Sequence, residues 1–158
     1  HLMLKDPREI AESILFDVAE KGYETTLDYL TQVVQLIREK VNFKHEIIEK
    51  SAFFFELPKA YDEQVVAKKW NPQVSAFLDG FADSLTNMQN ASATEIEAAM
   101  KQMATEQDIN PGSLMQPLRV CLSGEAGGPP LYEMLVLIGV QASAERIKIA
   151  IQKIPQTA

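Results

Sequence analysis

With 158 residues, of which 46% are hydrophobic and 23% charged, the chain has enough apolar content for one real core or two small ones sharing an interface, and its composition excludes a disordered tract. A net charge of −7 argues against broad nucleic-acid binding, because phosphate affinity comes from clustered Lys and Arg. The longest apolar run, Met134 to Val140, is far short of the roughly 20 residues that cross a bilayer, and no basic-then-apolar leader precedes it, so a soluble cytoplasmic protein without a membrane partner is expected.

The elements read as helices throughout. Asp6-Pro7 caps and starts a helix that carries Ile10, Ile14 and Val18 on one face and stops at Gly22. Thr25 and Asp28 form a capping-box-like start for a second helix with Leu30, Val33, Val34, Ile37 and Val41 at three-to-four spacing, which leaves Arg38 and Lys40 toward solvent. Asn42 caps a third helix that runs through Ile47 and Ile48 into Phe53-Phe54-Phe55 and ends near Leu57, since the residue before Pro58 is barred from helical geometry. Three adjacent aromatics cannot share one face; they read as a helix wedged between two neighbours, with base stacking as the second reading.

Asp62 then caps a short helix through Trp70, and Asn71-Pro72 opens another with Val74, Phe77, Leu78, Phe81 and Leu85, interrupted by Gly80. Ser92 and Glu95 have capping-box spacing ahead of Ile96, Met100 and Met103, a pair of methionines read as core filler. The chain turns at Asn110-Pro111-Gly112. Pro117 either sits near the start of the next helix at little cost or kinks it, and Gly124 supplies its left-handed stop. Leu131 to Ile138 forms a further helix, and Ser143 caps a last one with Ile147, Ala150 and Ile154. The expected fold is all-α, a helical bundle or cage of two small packed subdomains spanning residues 1–70 and 71–158.

Chemistry is mostly excluded. The single Cys121 cannot form an internal disulfide and reads as a small buried hydrophobe; with only His1 and His45, no cysteine–histidine set for zinc exists. Gly124, Gly127 and Gly128 follow a helix and are joined by two prolines, unlike a phosphate-binding fingerprint. His45 between Lys44 and Glu46 reads as a solvated surface residue, and the carboxylates Glu46 with Glu49 and Asp62 with Glu63 as solvated helix faces. Residues 1–70 hold ten basic and thirteen acidic side chains, 71–100 none and four, and 101–158 five of each. A specific contact with a few bases is therefore compatible with the charge, whereas a broad phosphate-binding surface is not.

The stretch Gln116 to Gly139, QPLRVCLSGEAGGPPLYEMLVLIG, is the most distinctive. From its residues, Arg119 lies on a helix before a loop whose backbone donors and acceptors can line a pocket for a flat group; an ion pair of Arg119 with Glu125 or Glu133 is the other reading. With VNFKHEIIEKSAFFFELPKAYDE and GPPLYEMLVLIGVQASAERI, the chain from about Leu27 to the C-terminus resembles the C-terminal anticodon-binding region of bacterial glutamyl-tRNA synthetases, class I aminoacyl-tRNA synthetases. Neither the His-x-Gly-His motif nor the Lys-Met-Ser-Lys-Ser loop of that family's catalytic half occurs here. The resemblance thus implies an excised portion, catalytically inactive and without a cofactor of its own, from a monomeric parent that ligates glutamate to its tRNA with ATP and Mg²⁺ in the separate catalytic domain of the same chain.

By the same resemblance, Arg119 matches a base-reading Arg, and Gly128, Pro129 and Leu131 match the loop that packs around the first anticodon base. Members of the family often carry Thr at Gly128, so a hydroxyl contact is replaced here by backbone or water. Lys40 stands where discriminating members carry an Arg that reads the third anticodon base; Lys keeps the charge without the planar fork. Lys101 stands at a second RNA-facing Arg, with phosphate contact or solubility as its two readings, and Arg38 is a further candidate for phosphate. A class I lysyl-tRNA synthetase cage and a helical protein-interaction domain that never touches RNA are the alternatives.

Overall fold

The computed structural model describes residues 6–37 and 44–154, the first four of the second stretch by backbone alone. The sequence readings at Arg38, Lys40, Val41 and Asn42, and those on the side chains of Lys44, His45 and Glu46, lie outside the described residues. Helices α1 (Pro7–Glu20), α2 (Leu27–Ile37), α3 (Lys44–Phe55), α4 (Glu63–Lys69), α5 (Pro72–Leu85), α6 (Ala93–Glu106), α7 (Gly112–Ser123), α8 (Leu131–Ile138) and α9 (Val140–Lys153) follow in order. Among the described residues there is no strand, so the all-α expectation holds.

The first compact unit ends at Glu56. The Asp6 carboxylate accepts from the Arg8 amide at 2.9 Å and Pro7 begins α1, which buries Ile10, Ala11, Ile14 and Val18. The capping of α2 differs from expectation by one residue: the Thr26 hydroxyl accepts from the Tyr29 amide at 3.2 Å, because Thr26 immediately precedes the first helical residue and Thr25 lies too far out to reach. Leu30, Val33, Val34 and Ile37 face α1 and α3. The three phenylalanines divide as a wedge must. Phe54 is buried, while Phe55 stacks on Tyr23 at 5.2 Å between centroids and meets Tyr29 edge-on at 6.0 Å.

The second unit begins at Leu57. The sequence placed its subdomain boundary at Trp70 to Pro72, yet α4 packs against α7 and belongs with the later helices. The reason is a backbone tie. The Asp62 amide donates to the Gly124 carbonyl at 2.9 Å, which binds the segment before α4 to the end of α7. Asp62 also caps α4 through the Val65 amide, and Asn71 caps α5 through the Val74 amide. Phe77, Leu78, Phe81 and Leu85 of α5 are fully buried and pack chiefly toward α9; each such side chain contributes about 1.5–3 kcal/mol of apolar burial. Exposed Lys148 of α9 reaches back to Asp79 and Asp83 at 2.6 and 2.9 Å, a solvent-screened addition to the same pairing.

Helix α6 opens with a complete capping box, Ser92 and Glu95 each bonding the other's amide at 3.1 Å. Met100 is fully buried, but Met103 is only half-buried and Ala104 takes the next core position. Pro117 lies inside α7, not at its start, and is buried. The last helix also starts earlier than expected. Gly139 has φ 104°, which lets α8 end and α9 begin without a loop, and Ser143, read from the sequence as a cap, instead donates its hydroxyl to the Leu135 carbonyl at 3.2 Å.

Two glycines predict opposite responses. Gly124 has φ 82°, and a Cβ there falls 2.3 Å from the Ala60 carbonyl oxygen, so Gly124→Ala should cost more than about 1 kcal/mol in urea unfolding. Gly80 has nothing within 4 Å of an added Cβ and sits in the exposed interior of α5; Gly80→Ala should gain roughly 0.5–1 kcal/mol. A stabilised Gly124→Ala would show that the strap from Pro58 to Asp62 does not press on α7.

Candidate functional site

Helix α7 presents Arg119 because its apolar residues use up the other faces. Leu114, Pro117, Leu118, Val120, Cys121 and Leu122 are buried, while Met115 and Gln116 are exposed and Arg119 is half-buried. Burial drives the Cys121 thiol well above its ordinary range, which leaves it a packing group with no nucleophilic character. The same desolvation holds the Arg119 guanidinium below its ordinary value, still protonated at neutral pH.

The Arg119 side chain crosses to the loop. Its Nη1 donates to the Pro129 carbonyl at 2.6 Å, ten residues on, and an added Cβ on Gly128 falls 3.8 Å from the same nitrogen. No carboxylate pairs with Arg119 among the described residues, so the ion pair with Glu125 or Glu133 is not formed. The guanidinium thus spends one of its donors on a backbone carbonyl and keeps the others.

The turn that carries this arrangement is tied by bonds from within α7 and from α9. Gly124 adopts the left-handed conformation and donates to the Val120 carbonyl at 2.8 Å. The Ser123 hydroxyl donates to the Arg119 carbonyl at 3.1 Å and accepts from the Glu125 amide at 3.2 Å. Arg146 of α9, which is buried, donates from Nη1 to the Leu122 carbonyl at 2.6 Å. Neither Ser123 nor Arg146 stood out as a site residue in the sequence. The only hint was that Arg146 lies between Ser143, Ala144, Ile147 and Ala150, all on the buried side of α9.

Beyond the turn, Gly127 and Pro130 are exposed and Gly128 is half-buried. Among the described residues the amides of Gly127 and Gly128 find no protein acceptor. Gly128 has φ 137°, a conformation that a β-branched residue resists, which accounts physically for glycine in place of Thr. Pro129 and Leu131, expected to pack around a base, are both buried, Leu131 with 3% exposure. Their side chains anchor the loop and start α8, whereas the groups facing solvent are Arg119 and the Gly127–Gly128 backbone.

Lys101 does not join this group through any described contact. It pairs with Glu97 one turn earlier on α6 at 3.0 Å and is exposed. Glu97 also faces Tyr132, whose phenol is pushed up to about 12, by burial first and by the Glu97 carboxylate second. Among the remaining carboxylates, Asp62 is occupied as a helix cap. No three His, Cys, Asp or Glu side chains among the described residues converge to hold a metal ion, and none of the described helices is long and apolar enough to cross a membrane. An open depression of about 520 Å³ lies between Gln89–Ala91 and the α8–α9 junction, at the opposite end of α8 from the loop.

Comparison with known proteins gives this geometry its context. Residues 9–151 match the family described as the anticodon binding domain. The glutamate–tRNA ligase of Chlorobium phaeovibrioides is 35% identical over an alignment covering 96% of this chain and 31% of that protein. That of Flavobacterium johnsoniae is 32% identical, covering 96% and 30%. A crystal structure of a glutamate tRNA ligase from Elizabethkingia meningosepticum, in complex with its amino acid, superposes with a TM-score of 0.89 at 25% identity over 98% of this chain and 30% of that one. The chain therefore spans less than a third of the length of these relatives.

Tyr132 yields a pH test. Its phenol keeps its proton to about 12 when folded, against 10.0 for the ordinary group, so the unfolded chain ionises first; this contribution to stability is present below pH 10 and lost between 10 and 12. In an alkaline absorbance titration of tyrosinate, Tyr132→Phe should remove the highest-pH component, and Glu97→Gln should shift that component downward. A Glu97→Gln profile identical to the parent would show that the carboxylate does not reach the phenol.

Proposed function

Because the chain belongs to the anticodon binding domain family, we propose that it binds the anticodon loop of a tRNA, as the C-terminal part of a longer glutamate–tRNA ligase. The observation that carries this reading is the state of Arg119. A half-buried guanidinium, held by one bond to the Pro129 carbonyl and by no carboxylate, lies against the backbone at Gly128 and Pro129, in a loop whose Gly127 and Gly128 amides find no acceptor among the described residues. Such a combination of fixed donors suits the edge and face of an unstacked base, which is how single-stranded RNA loops are read. It does not suit duplex phosphate tracking, which needs a run of cations that this chain lacks.

In this reading Arg119 and the Gly128 backbone meet the base, while Pro129 and Leu131 hold the loop from within the packed unit. Lys40 meets the third anticodon base with a point charge, so the bidentate reading by which an Arg there separates glutamate from glutamine anticodons is not available to it. Lys101 and Arg38 are auxiliary phosphate contacts. The partner is the glutamate-specific tRNA, and ligation of glutamate with ATP and Mg²⁺ belongs to the catalytic portion of the longer protein, a cytoplasmic monomer. The described residues of this chain offer no metal-ligand set and are assigned no step of that chemistry.

Titration with tRNAs for glutamate, glutamine and lysine tests the reading directly; preference for lysine tRNA, or no binding to any, overturns it. Arg119→Ala should weaken cognate binding by roughly 1–3 kcal/mol if the contact is to a base, and should cost about 1–2 kcal/mol of stability through the lost bond to Pro129. A large melting loss with unaltered RNA affinity would make Arg119 a purely structural brace. The logarithmic salt slope of binding should be shallow, equivalent to about two to four released ions, whereas a slope near −10 would reveal a broad basic surface. The isolated chain should show no glutamate-dependent pyrophosphate exchange, and any such activity would contradict the assignment of catalysis to the remainder of the longer protein.

A further inference from the structure

The last turn of a helix is where its backbone is least secured, since the final carbonyls have no partner within the helix. In α7 that turn carries the candidate site. Arg119 lies one turn before Leu122, and the loop leaves at Gly124. The Leu122 carbonyl is one of these terminal acceptors, and it is met by Arg146 Nη1 at 2.6 Å from across the α7–α9 contact. Arg146 is 6% exposed, too buried to touch RNA itself. A cation at this position also faces the negative end of the α7 dipole.

We infer that Arg146 is a positioning residue for the Arg119 site: it fixes the C-terminal turn of α7, and through that turn the placement of the Arg119 guanidinium against the Gly-Pro loop. The inference rests on the reading of Arg119 as an RNA-facing group. The turn is also tied by backbone bonds from Gly124 to Val120 within the helix and from Asp62 to Gly124 across the strap, and by the Ser123 hydroxyl, which bonds only groups of the same local segment, the Arg119 carbonyl and the Glu125 amide. Arg146 is the side chain that reaches the turn from α9, so altering it removes a tie from outside the helix while leaving the turn's own residues unchanged.

Burial of a guanidinium is costly, and replacing a buried charge with an apolar residue of similar volume is often neutral for stability. Arg146→Met therefore separates positioning from folding. In this variant the amides of Gly124 and Asp62 should exchange with solvent roughly tenfold faster, while Met100 at the centre of α6 is unaffected. Affinity for a glutamate tRNA transcript should fall roughly 3–10-fold, and that fall should vanish in an Arg119→Ala background, since removing Arg119 removes what Arg146 positions. Arg146→Lys, which keeps the cation without the planar fork, should lie between the parent and the Met variant on both measurements.

Exchange at Gly124 and Asp62 unchanged from the parent would overturn the inference without any RNA being present. So would an affinity loss of equal size with and without Arg119. If the parent binds tRNA and Arg119→Ala weakens it while Arg146→Met does not, this inference falls and the functional reading stands. If the parent binds no tRNA, both fall. Should Arg146→Met not fold, the Lys variant decides by the same measurements, and its being indistinguishable from the parent in exchange and affinity would refute the role.

Discussion

The close passage of Gly124 beneath the strap from Pro58 to Asp62 is the constraint on which the second unit is organised. A Cβ at Gly124 would fall 2.3 Å from the Ala60 carbonyl oxygen, so only glycine lets the two backbones approach and lets the Asp62 amide reach the Gly124 carbonyl. The left-handed turn that ends α7 is the same residue. One position thereby stops a helix, docks the start of α4 and sets the direction in which the Gly-Pro loop leaves. The grouping of α4 with α7, and hence the division of the chain after Glu56, follows from that contact.

What this turn holds is a charge whose surroundings are unusual for a structural arginine. Arg119 is half-buried without a carboxylate and is satisfied by a main-chain carbonyl. A brace of this kind keeps the guanidinium in place at low side-chain entropy, so that a ligand does not have to order it on binding. The loop opposite is built by the same economy: Pro129 and Leu131 are buried, Gly128 occupies a conformation that is strained for any residue with a side chain, and the donors left over are backbone amides. A site made of fixed backbone and one braced cation is built more for shape and base edges than for phosphate, as the proposed function requires, and the chain is acidic overall.

The same economy explains where the charge goes. Residues 71–100 carry four acids and no bases, yet Asp79 and Asp83 are met by Lys148 from α9, and Glu97 by Lys101. These pairs are exposed and add little to stability. The pair with Glu97 is weak enough to give way to a phosphate, so it leaves Lys101 available at the surface of α6.

The sequence by itself determined the helices, because each rests on local rules: apolar spacing, Asp62, Asn71 and Ser92 as caps, Pro7 and Pro72 at first positions, Gly124 as a stop. Where those rules named the wrong residue, another side chain was better placed by a single position or a contact from outside the helix. Thr26 caps α2 because it adjoins the first turn, and Ser143 turns its hydroxyl to Leu135 because Gly139 allows α9 to start without a loop. The candidate site was legible in Arg119 and the glycine–proline composition of its loop. Only the tertiary structure decided that Pro129 offers its carbonyl and not its ring, that Leu131 is buried, and that Arg146 and Asp62 secure the turn, since these are contacts between residues far apart in the chain, and neither periodicity nor propensity carries information about which distant donor will reach a given carbonyl.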